Sequence, residues 1–195
     1  DPIEFELNTE EFKEIIQGLP RHFLSDIDYI IFGNFDFLNK RGYAASYKDG
    51  AVYVNNRQED NMSVYDDIVH EIGHSVEERY SKFIYSDMQL KSEFVRKRKL
   101  LQKEFRLSGL GMPESKVEKS EYDEELDRYF SDVVGYPIMT AISQGIFYSP
   151  YGATCLREYF ANGFEAYFYH RDYYLKKISP VLYDKLEKLE IGERK

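Results

Sequence analysis

Tryptophan is absent from this chain, and cysteine occurs once, at Cys155. A single thiol excludes an intramolecular disulfide, so packing, with or without a metal, must hold the fold. A disulfide-free chain suits a cytosolic protein and many bacterial secreted ones alike. No apolar run is long enough to span a bilayer, and no stretch has the charged start and apolar middle of a signal peptide. The chain opens at Asp1-Pro2 without a methionine, as a processed product or an excised domain would. Positive charge is in short supply: 26 Lys and Arg stand against 35 Asp and Glu, a formal net charge of −9. That balance repels phosphate backbones and argues against a nucleic-acid partner. The local exception, Arg96-Lys97-Arg98-Lys99 with Lys103 and Arg106, reads as the solvated surface of a helix.

What is plentiful is tyrosine, 18 residues beside 14 Phe. Tyrosine packs like an apolar residue and keeps a hydroxyl for recognition, and most of these read as core and rim. Neither a repeat nor a low-complexity tract interrupts the 195 residues, a length that suits one domain with its own core. The apolar spacing predicts a helix from Thr9 to Leu19, with Thr9 as its cap and Pro20 beyond. Tyr29 to Gly33 reads as a short strand. Gly42 to Lys48 and Ala51 to Asn55 read as a hairpin turning at Asp49-Gly50. Ser63-Val64-Tyr65-Asp66 resembles a capping box and starts a helix whose stripe is Val64, Ile68, Ile72 and Val76. Helices are also expected from about Ser86 to Leu107, Asp123 to Val134, Thr154 to His170 and after Ser179-Pro180. Strands first and helices after indicate an α+β fold, a small N-terminal antiparallel sheet followed by a mainly helical part.

Within the Ser63 helix stand His70-Glu71-Ile72-Gly73-His74. Histidines four apart on a helix lie on one face, about a turn apart, close enough to grip one ion. Neutral imidazole suits zinc, and the intervening Glu71 is placed to act as general base toward the water at the metal. A catalytic zinc needs a third protein ligand and an open fourth position. The extended His-rich form of this motif is excluded, because Glu77 and Tyr80 occupy the positions it requires. Glu93 lies near a spacing used by thermolysin-like enzymes, but its neighbours read as basic and exposed. Glu158 is the better candidate. It stands among Leu156, Tyr159, Phe160, Ala161 and Phe164, and a carboxylate in such surroundings calls for a metal or an ion pair, for instance with Arg157. Tyr151, just upstream, is a candidate donor to an oxyanion. His22 and His170 read as surface or cap residues, and Cys155 as a packed hydrophobe.

These residues resemble the lethal-factor-like zinc metallopeptidases, which comprise the anthrax lethal factor catalytic domain and the bacterial Pro-Pro endopeptidases. The match lies in His70 to Glu78, then Tyr151-Gly152, then Glu158-Tyr159-Phe160-Ala161, with Glu158 seven residues beyond the tyrosine. The resemblance implies a single zincin-like domain over 1–195, one zinc ion per chain held by His70, His74 and Glu158, Glu71 as base and Tyr151 as oxyanion donor. It also implies a secreted or delivered effector. Two departures stand out. Extra helical material, an insertion around 93–147, separates His74 from Glu158, so substrate preference is not carried over. Where the family tends to place an acid one turn after the ligand Glu, to orient a histidine, this chain has Asn162, with Glu165 as a possible substitute.

A protein or peptide substrate would add as a strand to the Gly42–Asn55 hairpin edge, with Gly42, Tyr43 and Tyr148 among the residues that contact it. The acidic balance weakly favours basic peptides. Two other functions fit the same residues: a maturation protease acting on its own polypeptide, and a catalytically silent zinc-binding module. The sequence carries no signal of oligomeric state.

Overall fold

The computed structural model describes residues 7–58 and 60–192. Helix α1 (Thr9–Gly18) starts where the spacing indicates, but its cap is Asn8, whose side chain accepts the Glu11 amide. The Asn8 backbone is extended while Thr9 is already helical, so only Asn8 can aim an oxygen at the open first turn. Strand β1 (Tyr29–Gly33), helix α2 (Asp36–Asn39), and strands β2 (Ala45–Lys48) and β3 (Ala51–Asn55) follow.

The strand order is β1-β3-β2. β2 and β3 form the expected hairpin, turning at Asp49 and Gly50 with φ of 50° and 81°, the pair of positive values a tight hairpin turn needs. β1 joins the other side of β3 in parallel, Tyr29 opposite Ala51, so the sheet is mixed where the sequence indicated antiparallel pairing alone. A hairpin announces itself through a local turn, whereas a parallel partner brought in by a crossover leaves no local signal. β2 is left as an edge.

Helix α3 (Asn61–Tyr85) begins before the apparent capping box. Asp60 caps it, accepting the Ser63 amide at 2.8 Å, and a carboxylate at a helix start is favoured by both hydrogen bonding and the dipole. The stripe Val64, Ile68, Ile72 and Val76 is buried. Helix α4 (Gln89–Leu107) overturns the reading of its basic run. Lys97 and Arg98 are 2% and 0% exposed, while Lys99 reaches solvent. Arg98 donates to the carbonyls of Lys116 (2.8 Å) and Thr154 (2.6 Å), and Lys97 donates to the carbonyl of Ile146 over the rings of Phe147 and Tyr159. Long cationic side chains can be buried when carbonyls from distant loops meet them, and nothing local in the sequence names those carbonyls.

Helices α5 (Glu114–Val117), α6 (Glu124–Arg128) and α7 (Tyr136–Ser143) occupy the segment read as an insertion, with a π-helical stretch at Tyr129–Val134 between the last two. Helix α8 (Leu156–Phe168) packs on α3, and α9 (Tyr174–Ile178) and α10 (Pro180–Ile191) close the chain. The architecture is mainly helical with one small sheet, an α+β fold.

Glycines set the two helix crossings nearest the motif. A Cβ at Gly73 would lie 3.2 Å from Phe164, so α3 and α8 approach closely within the motif itself. At Gly163 a Cβ would lie 2.2 Å from Leu182 Cδ2 and 2.9 Å from its Cγ, where α8 meets α10. Gly163→Ala is therefore expected to destabilise the protein by about 1–3 kcal/mol through overpacking. Denaturant unfolding would check this, and a loss under about 0.5 kcal/mol would mean that Leu182 swings clear.

Candidate metal centre

Two helices build the site. α3 contributes His70, Glu71 and His74, and α8, seated across Gly73, contributes Glu158. His70 Nε2 lies 3.1 Å from Glu158 Oε2, and His74 Nε2 lies 3.6 Å from Glu158 Oε1. One donor atom from each residue falls within 4.8 Å of the other two. Bonds of about 2.0 Å to a tetrahedral ion place donors roughly 3.3 Å apart, so these spacings fit one cation. Two imidazoles and a carboxylate suit zinc and other divalent first-row ions.

The histidines are oriented from behind. His70 Nδ1 lies 3.4 Å from Glu165 Oε2, and His74 Nδ1 lies 3.4 Å from Glu77 Oε2. Glu165 calls for a proton on Nδ1 of His70, so its Nε2 is the nitrogen free to ligate once its own proton is displaced. His74 Nδ1 lies between Glu77 and the Nε of Arg157, which donates to it at 3.2 Å. Asn162 does not reach a histidine. Its Oδ1 accepts the Ser149 hydroxyl, because one turn after Glu158 the α8 surface faces the loop before Tyr151, while two turns on it faces His70. The second orienting group, Glu77, was not anticipated, although a residue three beyond His74 on a helix is its neighbour. Glu77 is 8% exposed and accepts the Tyr85 hydroxyl at 2.5 Å and Arg157 Nε at 3.2 Å. Arg157, which the sequence offered as a partner for Glu158, instead turns its Nε to Glu77 Oε2 and His74 Nδ1, both at 3.2 Å.

Electrostatics couple the centre tightly. Burial acts to lower the His70 pKa, but hydrogen bonds to Glu158 and Glu165, with the charges of Glu158 and Glu71, outweigh it and lift it to about 10. His74 is raised for the same reason, by Glu158 and Glu77 against burial. Glu158 is held well below the usual carboxylate range: burial opposes this, and the two histidines prevail. A cation must displace a histidine proton at neutral pH. Zinc affinity is therefore expected to rise roughly tenfold per pH unit between pH 6 and 8, as measured by competition with a chelator of known pH dependence. A flat profile would mean that the histidines are already free of protons.

Glu71 is not one of the converging donors, although its charge acts on His70. Its Oε2 accepts the Tyr47 amide of edge strand β2 at 2.6 Å. Tyr151 begins a short 3-10 turn and its ring centroid lies 6.3 Å from that of His70. Burial, then the charges of Glu158, Tyr43, Asp127 and Tyr136, raises its pKa far above the ordinary value, so the hydroxyl stays a donor at any physiological pH. Tyr43 shares this neighbourhood with Tyr136 and Tyr122, two residues the sequence did not single out. Gly42 sits exposed with φ of 69°, and Tyr148 stacks toward His170 at 6.3 Å instead of toward the histidine pair.

Glu93, the other candidate ligand, is engaged elsewhere. It is 4% exposed, in contrast to its expected exposure, and accepts the Val181 and Leu182 amides at 2.9 and 3.1 Å together with the Tyr159 hydroxyl. It thus serves as the missing cap of α10. His22 Nε2 meets the Leu189 carbonyl at 2.9 Å near the end of the same helix. Cys155 is buried with its thiol pushed up to about 11 by burial, the state of a packed hydrophobe. No family model, curated protein or solved structure matches the chain, so the resemblance to lethal-factor-like peptidases rests on the motif residues alone.

Proposed function

We propose that this protein is a zinc-dependent endopeptidase. The observation that carries the reading is the division of labour on one turn of α3. His70 and His74 turn their Nε2 atoms to Glu158, while Glu71 between them faces the edge of the sheet. Bound by His70, His74 and Glu158, zinc would supply Lewis acidity and make water a usable nucleophile near neutral pH.

The chain's own groups account for the remaining requirements. Glu71, one residue from His70 on the same helix and close enough for its charge to act on that histidine, meets β2 and can take a proton from attacking water and return it to the leaving amine. Its contact with the Tyr47 amide fixes the carboxylate against the edge where an extended peptide would pair. Tyr151 holds a permanent O–H beside His70 and can donate to the oxygen that gains charge as the peptide carbonyl is attacked. Glu165 holds the His70 imidazole in the ligating tautomer, and Glu77 with Arg157 fixes the orientation of the His74 ring.

The direct test is a diverse peptide library incubated with zinc-loaded protein and read by mass spectrometry, beside the Glu71→Gln variant. Cleavage by the wild type alone supports an endopeptidase and reports its preference. No cleavage in the presence of bound zinc would sink the general endopeptidase reading in favour of a self-directed protease or a silent zinc module. On any peptide so found, Tyr151→Phe is expected to raise the barrier by about 2–4 kcal/mol. An unchanged kcat would remove Tyr151 from the chemistry.

A further inference from the structure

Behind His70 a second set of donors converges, of which the proposed reaction uses only Glu165, as the partner of His70 Nδ1. Asp66 lies on α3 one turn before His70, Glu165 in the last turn of α8, and His170 just past that helix. His170 Nε2 lies 3.1 Å from Asp66 Oδ1 and 3.3 Å from Glu165 Oε1. One donor atom from each of the three residues lies within 4.8 Å of the others. These separations again match the roughly 3.3 Å edge of a tetrahedron with ~2.0 Å bonds.

Hydrogen bonding alone does not satisfy the group. His170 Nε2 carries at most one proton and faces two carboxylates from different helices. Asp66 Oδ1 is enclosed and makes no hydrogen bond, although it points at that nitrogen from 3.1 Å. An enclosed carboxylate oxygen left without a hydrogen bond calls for another positive group. The imidazole lies near two tyrosine rings, Tyr169 at 4.9 Å and Tyr148 at 6.3 Å between ring centroids. The three side chains are 18–33% exposed, so an ion has a path in from solvent.

We propose that Asp66, Glu165 and His170 form a second divalent-cation site, sharing the Glu165 carboxylate with the motif centre. Two carboxylates and one imidazole make a harder donor set than that of the motif and suit Mn²⁺, Co²⁺ or Zn²⁺. The shared carboxylate links the sites: Oε2 faces His70 Nδ1 at 3.4 Å while Oε1 faces His170. The chain then binds two ions, one for the motif and one for this cluster.

Equilibrium titration of the metal-free protein with Zn²⁺, followed by calorimetry, separates this site from the motif centre without recourse to activity. The wild type should take up two ions, and His170→Ala and Asp66→Asn one each, with circular dichroism unchanged. His74→Ala should also take up one, and His74→Ala with His170→Ala none. Uptake of one ion by the wild type, lost in His74→Ala and kept in His170→Ala, would overturn the second site while leaving the motif centre intact. Uptake of two ions by both His170→Ala and Asp66→Asn would overturn it as well. Uptake lost with His170 but kept in His74→Ala would support this site and defeat the motif centre. Repetition with Mn²⁺ should fill the cluster in His74→Ala, and His170→Ala should abolish that uptake.

Discussion

Glu71→Gln should leave zinc affinity and folding nearly unchanged while lowering peptide turnover by roughly 10²–10⁴-fold. Glutamine keeps the size of the side chain and an oxygen able to accept the Tyr47 amide, so the contact with β2 can persist. What it loses is the ability to take a proton, since an amide is no base near neutral pH. Glu71 also lies outside the group of donors able to hold an ion, so metal content should stay at the wild-type level. The two readouts together discriminate. Lost turnover with retained zinc supports the base, lost turnover with lost zinc points to a ligand or a misfolded centre, and unchanged turnover removes Glu71 from the mechanism.

Glu158→Ala should have the largest effect on metal. Zinc sites in small peptides bind with apparent energies of ~10–16 kcal/mol, so an even share for one ligand of three or four corresponds to a loss of roughly 10²–10³-fold or more. The variant removes the one carboxylate that lies within 3.1 Å of His70 and 3.6 Å of His74 and that lifts both histidine pKa values. The histidines should consequently give up their protons nearer the ordinary range in the metal-free variant, a change visible in imidazole NMR titrations. Glu158→Gln is the control for packing, because it fills the same space with a poor ligand. Unaltered zinc affinity in both variants would remove Glu158 from the ligand set, and Glu93 is not free to replace it, being committed to the start of α10.

Local patterns were legible where the physics is local. Strands Tyr29–Gly33 and Ala51–Asn55 have the expected ends, and the Asp49-Gly50 turn has the expected positive φ values, because alternation and turn chemistry are properties of a few adjacent residues. The buried stripe of α3 follows from helical periodicity alone. The four-residue spacing of His70 and His74 puts both on one face of a helix whatever its tertiary contacts.

The errors share a cause. Arg98 looked like a surface charge because its acceptors, the Lys116 and Thr154 carbonyls, lie far along the chain. Glu93 looked exposed for the same reason, its partners being the amides of Val181 and Leu182. Asn162 was favoured by its one-turn offset, yet the rotation of α8 against α3 turns that position toward Ser149 and brings Glu165 to His70.

The sequence by itself thus determined the α+β class, the hairpin, the motif helix and the residue types able to hold a cation. Periodicity, turn preference and ligand chemistry are written in neighbouring residues. Tertiary structure decided which carboxylates meet which histidines, that β1 pairs in parallel, and that Asp66, Glu165 and His170 converge. The carboxylate–histidine pairings depend on how α8 crosses α3 at Gly73 and α10 at Gly163, and the parallel strand on a crossover, all set by packing between segments that the chain order keeps apart.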